Sequence, residues 1–134
     1  MERVFKLEEI ESVVGEFLGL VNDKKVLGFS GNLGAGKTTF TKEVLRQLGY
    51  DGGVPSPTFV LRRDYDLPNR KIIHIDAYRL ESPEQIYQVL SKDELADEKN
   101  LIIVEWPELA DLNIFDDIFL FEHIDENTRK ISKK

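Results

Sequence analysis

The chain has 134 residues, the length of one domain, with 41% hydrophobic and 32% charged residues, a balance that excludes a disordered or fibrous chain. Eighteen Lys and Arg against 25 Asp and Glu leave a net charge of −7, so the summed field repels polyanions and disfavours strong direct nucleic-acid binding. Cys is absent, which excludes disulfides, a thiolate nucleophile and Cys-ligated zinc.

The acidic start Met1-Glu2-Arg3-Val4-Phe5-Lys6-Leu7-Glu8-Glu9 lacks the apolar core of a signal peptide, and no apolar run approaches the roughly 18 residues of a membrane span. A cytoplasmic protein without membrane contact is expected. From Leu7 to Val21, the residues Ile10, Val13, Val14, Phe17, Leu18 and Val21 recur at steps of three and four, the stripe of an amphipathic helix. Asn22-Asp23 breaks that pattern, and Val26-Leu27-Gly28-Phe29-Ser30 reads as a short buried strand entering a glycine loop. Helical spacing returns from Thr38 to Leu48 through Phe40, Val44, Leu45 and Leu48, with Gly49 placed to end it.

The segment 51–57 is rich in turn formers and reads as a loop. Residues 59–65 then predict a strand, Leu67-Pro68-Asn69-Arg70 a hairpin turn, and residues 71–76 its partner strand. Ser82 as cap with Pro83 at the first helical position predicts a helix to about Leu90. Leu101-Ile102-Ile103-Val104 is continuously apolar, as a strand covered on both faces must be, and belongs in the sheet centre. Residues 118–124 and 129–131, joined by Asp125-Glu126-Asn127-Thr128, predict a closing hairpin. The expected fold is a single α/β domain over 1–134: a three-layer P-loop NTPase architecture with a central, mostly parallel sheet, flanking helices and a C-terminal hairpin.

Gly31-Asn32-Leu33-Gly34-Ala35-Gly36-Lys37-Thr38 matches G-x-x-x-x-G-K-[ST] between a strand and a helix. Glycines let successive backbone N–H groups converge on phosphate oxygens, and the helix adds its positive end. Lys37 is expected to neutralise the β- and γ-phosphates, and the Thr38 hydroxyl to reach Mg²⁺. Thr39 stands where a dinucleotide fingerprint needs its third glycine, which argues against a Rossmann cofactor. No N-K-x-D-type element follows Glu105, so adenine is favoured over guanine.

A second strand should deliver a carboxylate to the Mg²⁺ shell, and two strands end in one, at Asp76 and at Glu105. Glu105 follows the more apolar strand and is the first choice for the metal, with Asp76 polarising the attacking water or supporting Thr38. For either acid alone, the alternative is a strand-end carboxylate that caps the turn after it. In Ser56-Pro57-Thr58-Phe59, Thr58 is a candidate γ-phosphate sensor, with an ordinary turn as the alternative. His74 alternates with Ile73 and Ile75, a pattern more common for a packed or solvent-facing His than for a catalyst.

Four motifs in order, residues 31–39, Ser56-Pro57-Thr58-Phe59, His74-Ile75-Asp76-Ala77-Tyr78-Arg79-Leu80 and Val104-Glu105-Trp106-Pro107-Glu108, resemble the TsaE (YjeE) family of bacterial P-loop ATPases. The resemblance covers most of the chain. It implies an ATPase required for threonylcarbamoyladenosine modification of tRNA, acting with the TsaD and TsaB proteins, which handle the tRNA, and resetting that assembly between cycles. It implies ATP and Mg²⁺ as cofactors, with residues 31–39 (Gly31, Asn32, Leu33, Gly34, Ala35, Gly36, Lys37, Thr38 and Thr39) around the phosphates. Thr38 and Glu105 would meet the metal, Asp76 and Thr58 would support hydrolysis, and Trp106 would lie beside the site. Tyr78 and Arg79 match a further family element. Family members often carry Thr four residues before the glycine of the first helix; here Glu11 precedes Gly15 and takes that place on the adenine side. Two other readings share the glycine loop: a small-molecule or nucleoside kinase, and a nucleotide-gated interaction module with incidental hydrolysis.

Overall fold

The computed structural model describes residues 1–52 and 61–134. The elements in chain order are β1 (Glu2–Lys6), α1 (Ile10–Leu20), β2 (Val26–Ser30), α2 (Lys37–Gln47), β3 (Arg62–Asp66), β4 (Lys71–Asp76), α3 (Ile86–Val89), α4 (Lys92–Ala96), β5 (Asn100–Glu105), β6 (Asp117–Asp125) and β7 (Thr128–Lys133). All seven strands form one sheet in the order β1-β7-β6-β2-β5-β4-β3.

The sheet is parallel only in its centre. β6, β2, β5 and β4 run parallel, whereas β1 on β7, β7 on β6 and β3 on β4 pair antiparallel. The expectation of a mostly parallel sheet therefore holds for four strands and fails at both edges, where the hairpins β3–β4 and β6–β7, and the N-terminal strand β1 laid on β7, pair antiparallel without helical crossovers. β1 was not foreseen at all: its burial alternates around a single inward aromatic, Phe5, while Val4 stays 57% exposed. One apolar contact on a charged edge strand leaves little period-two signal.

Burial follows from strand alternation. One face carries Leu27, Phe29, Ile72, Leu101, Ile103, Phe119 and Phe121 against Val13, Val14 and Phe17 of α1 and Phe40, Val44 and Leu45 of α2. The opposite set, Val26, Ile73, Ile75, Ile102 and Val104, packs with Ile86, Leu90 and Ala110. Under α1 and α2, Phe17 meets Phe40 and Phe119 at 5.0 Å between ring centroids, and Phe121 meets Phe29 at 4.9 Å and Phe40 at 5.0 Å. Such pairs contribute about 0.5–1.5 kcal/mol each beyond area burial and fix the helices on the sheet.

The helix expected from Ser82 is shorter and tighter: a 3-10 turn, Pro83–Gln85, leads into the single α-turn of α3. Ser82 makes no side-chain cap, and the Gln85 side chain reaches back to accept the Glu81 N–H at 2.7 Å. α4, also unforeseen, starts at a capping box in which the Ser91 hydroxyl accepts the Glu94 N–H and the Glu94 carboxylate accepts the Ser91 N–H, each at 3.0 Å. Of the strand expected at 59–65, the described part is β3, and the segment holding Ser56, Pro57, Thr58 and Phe59 lies outside the described residues. Among the described residues, no helix is long and apolar enough to cross a membrane.

Candidate functional site

The parallel centre of the sheet brings the ends of three strands to one edge. Phe29 of β2 is in register with Glu105 of β5, and Glu105 with Asp76 of β4. Residues in register share a face, so Glu105 and Asp76 point to the side occupied by α1 and α2, as does His74, two residues before Asp76.

The glycine loop crosses that edge. Gly31 has φ 144°, and a Cβ there would lie 2.4 Å from the Phe121 carbonyl oxygen, so only glycine lets the chain turn off β2 against β6. Gly36, at φ 101°, precedes α2, and its carbonyl accepts the first α-helical bond from Phe40 N–H at 2.9 Å. Between them the Ala35 N–H closes a turn onto Asn32 O at 3.1 Å. Asn32, Leu33 and Gly34 are exposed, Ala35 is buried, Thr38 is half-buried and Thr39 faces solvent.

Lys37, the first residue of α2, is only 5% exposed. Its Nζ donates to the Gly31 carbonyl, lies 3.9 Å from Glu105 Oε1, and stands 4.4 Å from the centroid of the Trp106 ring. Burial pushes the ammonium's pKa down, opposed by the charges of Glu105, Asp76 and Glu108. Among the described residues this buried cation has one carbonyl hydrogen bond and a carboxylate beyond direct hydrogen-bond reach, and an anion seated in the loop would complete its neutralisation.

Glu105 is held on its other side by His74, whose Nε2 lies 2.6 Å from Oε2. Burial raises its pKa, but the hydrogen bond and charge of His74, together with Lys37, outweigh that and hold the carboxyl below its ordinary value. Asp76 does what the capping alternative describes: Oδ1 accepts the Tyr78 N–H at 3.0 Å and starts the 3-10 turn Ala77–Arg79. Glu105 does not cap the turn after it; that turn begins with Trp106 at φ 57°, a left-handed conformation unusual for so bulky a residue. The Trp106 ring stacks obliquely on Tyr78 at 5.3 Å. Tyr78 and Arg79 are exposed beside it.

Lys37, Glu105, Asp76 and Trp106 thus meet at one place. Glu11 does not join them: its carboxylate is 3.5 Å from Arg46 Nη2 and its carbonyl accepts from Gln47 Nε2 at 2.8 Å, in the last turn of α2. Nine helical steps separate Arg46 from Lys37, about 13 Å along the axis, so Glu11 is not part of the phosphate end of the site. Three features escaped sequence reasoning. Ser30 Oγ donates to Glu108 Oε2 at 2.9 Å, joining the end of β2 to the turn after β5. The stem of Arg129 on β7 packs against Gly36, with Cγ 3.5 Å from where a Cβ would stand, a contact across 93 positions that no local pattern signals. The bond from His74 to Glu105 had a partial signal, since His74 shares strand parity with Asp76.

Among the described residues, no three carboxylate or imidazole groups converge into a ready-made metal cage. Mg²⁺ bound through phosphates uses one or two protein oxygens and water, a demand that the Thr38 hydroxyl and the Glu105 carboxylate match in donor type.

Residues 4–131 match the family model described as Threonylcarbamoyl adenosine biosynthesis protein TsaE. The chain is similar to three curated proteins that carry the name tRNA threonylcarbamoyladenosine biosynthesis protein TsaE. The one from Aquifex aeolicus is 36% identical over 126 residues, 92% of this chain and 87% of that protein. That from Rickettsia bellii is 35% identical over 103 residues, covering 76% and 70%, and that from Rickettsia typhi 43% over 81 residues, covering 60% and 55%. The matched part thus spans little more than half of the Rickettsia typhi protein. The crystal structure of Bacillus subtilis YdiB superposes with a TM-score of 0.68 at 23% identity, over 99% of this chain and 84% of that one, which shows a shared fold.

Proposed function

From the premise that this chain belongs to the TsaE family, we propose that it is a cytoplasmic P-loop protein that binds and hydrolyses ATP in the service of threonylcarbamoyladenosine modification of tRNA. The single observation that carries the nucleotide reading is Lys37: a buried ammonium at the mouth of a glycine loop, 3.9 Å from Glu105 and with the Gly31 carbonyl as its one hydrogen-bond acceptor among the described residues. Phosphate oxygens would supply both the missing acceptors and the missing charge.

In this reading the amides of residues 31–39 and the start of α2 hold the phosphates, and Lys37 turns from the Gly31 carbonyl to the β- and γ-phosphates. Thr38 and Glu105 would hold Mg²⁺, which when bound neutralises charge between those phosphates. Asp76, braced by the Tyr78 N–H, orients the attacking water. Thr58 as a γ-phosphate sensor remains part of the proposal.

The acidic net charge of −7 favours work on protein partners over direct contact with tRNA, which supports action through TsaD and TsaB and a role in resetting their complex. The experiment is a two-part assay. ATP binding is expected for the wild type and is expected to be lost in Lys37→Ala; capture of TsaD and TsaB is expected to change with ATP. Unaltered ATP affinity in Lys37→Ala would overturn the cradle assignment, and failure to capture the partners with or without ATP would overturn the partner assignment.

A further inference from the structure

We propose that His74 is the positioning residue of Glu105: its Nε2–H clamps Oε2, so that the carboxylate presents Oε1 on the side of Lys37 in a single orientation. The inference rests on the ATP reading above and extends it to a residue that the glycine loop does not contain. Its basis is register. β4 and β5 are parallel, with Asp76 opposite Glu105 and His74 opposite Ile103, so His74 sits one step back on the same face and reaches the acid diagonally. The two side chains are largely shielded, 17% and 12% exposed, and 2.6 Å apart.

A carboxylate at the end of a strand rotates freely about its last torsion unless one oxygen is tied. In Glu105 the two oxygens are differentiated: Oε2 faces His74 and Oε1 faces Lys37. A glutamate carboxylate is an acceptor at neutral pH, so the ring nitrogen 2.6 Å from Oε2 must carry the hydrogen. In this arrangement His74 acts through Glu105. Partners of this kind, behind a metal-binding group, change metal affinity or activity by roughly 10–100-fold when removed.

The test compares full-length wild type, His74→Phe, which fills the ring's place without a donor, and His74→Gln, whose amide nitrogen reaches the position of Nε2. Nucleotide binding is followed through Trp106, the single tryptophan of the chain, with ATP in EDTA and then with added MgCl₂. For His74→Phe the expectation is ATP affinity in EDTA within about twofold of wild type, a half-saturating Mg²⁺ concentration raised about tenfold, and kcat reduced about tenfold with KM within about twofold. His74→Gln should recover to within about threefold. In nucleotide-free wild type, ¹⁵N NMR of the His74 ring should place a proton on Nε2. A bare Nε2, a Mg²⁺ dependence in His74→Phe equal to wild type, or His74→Gln as impaired as His74→Phe would each overturn the proposal. Should His74→Phe fail to unfold cooperatively, His74→Met carries the same comparison. Wild type that binds no ATP overturns the nucleotide reading itself; wild type that binds, with His74→Phe indistinguishable from it, overturns only the role of His74.

Discussion

Pro107 rests directly on Gly28. A methyl group at Gly28 would stand 2.7 Å from Pro107 Cβ and 2.9 Å from Cγ, so the middle of β2 has no room for a side chain. That approach seats the turn after β5 on the strand that feeds the glycine loop, where Trp106 N–H donates to Phe29 O at 3.3 Å and Ser30 bonds Glu108. Gly28→Ala must displace either β2 or the 106–108 turn, and overpacking of this kind costs about 1–3 kcal/mol. A lower midpoint in thermal unfolding together with a shifted Trp106 emission is expected. An unchanged midpoint would mean that the turn yields without cost.

Lys37 is the next residue to test, because its burial makes stability and binding move in opposite directions. Desolvation penalises the ammonium, with Glu105 as the first offset. Lys37→Met keeps the aliphatic stem and removes the charge, so nucleotide-free stability should change by less than about 1 kcal/mol or rise. ATP affinity should fall by about 2–3 kcal/mol, roughly 30–150-fold, the worth of a charge-assisted contact to phosphate. Urea unfolding and a nucleotide titration on the same sample check both. A variant that is unstable and still binds ATP would contradict the assignment.

The two acids should separate from Lys37 in their kinetics. Glu105→Gln and Asp76→Asn keep shape and remove charge at groups placed for metal and water, not for the phosphates as a whole. Turnover is expected to drop about 10²–10³-fold with ATP affinity within a few-fold, as for groups that act mainly in the transition state. Asp76→Asn also retains an oxygen for the Tyr78 N–H, so the 3-10 turn after β4 should survive, a point that thermal unfolding verifies. Equal losses of affinity and turnover in both variants would place these acids in ground-state binding instead.

How far the chain could be read without coordinates differs by element. β2, α2 and β5 were legible because each is dictated locally: an apolar run into a glycine loop, a helical stripe ending at Gly49 with φ 102°, and a doubly covered strand. Lys37, Glu105 and Asp76 inherit that legibility, since strand ends and loop position follow from the elements. β1 was illegible because an edge strand with Phe5 as its one fully inward apolar residue has no pattern to show. The contact of the Glu11 carboxylate with Arg46 depends on how α1 crosses α2, which no motif specifies. The contacts from Ser30 to Glu108 and from Arg129 to Gly36 depend wholly on tertiary packing.

One strand over from Asp76, in register with Ile75, Arg62 ties the edge strand β3 to α4 and sets a pH dependence. Its guanidinium donates to both Glu94 oxygens, through Nη1 at 2.8 Å and through Nη2, and to Asp64 Oδ1 at 2.8 Å. Those bonds, against the opposing effect of burial and with help from the Ser91 N–H, pull the Glu94 carboxyl from 4.5 down to about 2. The unfolded chain takes up this proton near the ordinary value, and the folded protein resists until about 2. The contribution to stability is therefore complete above the ordinary value, shrinks as pH falls through the window, and vanishes below the depressed one. Glu94→Gln should lower stability at neutral pH by about 1 kcal/mol, the pair being partly solvated. Measured by urea unfolding from about pH 5 to about pH 2.5, it should also lose less stability on acidification than wild type. Parallel pH profiles for the two proteins would show that Arg62 and Glu94 do not couple folding to protonation.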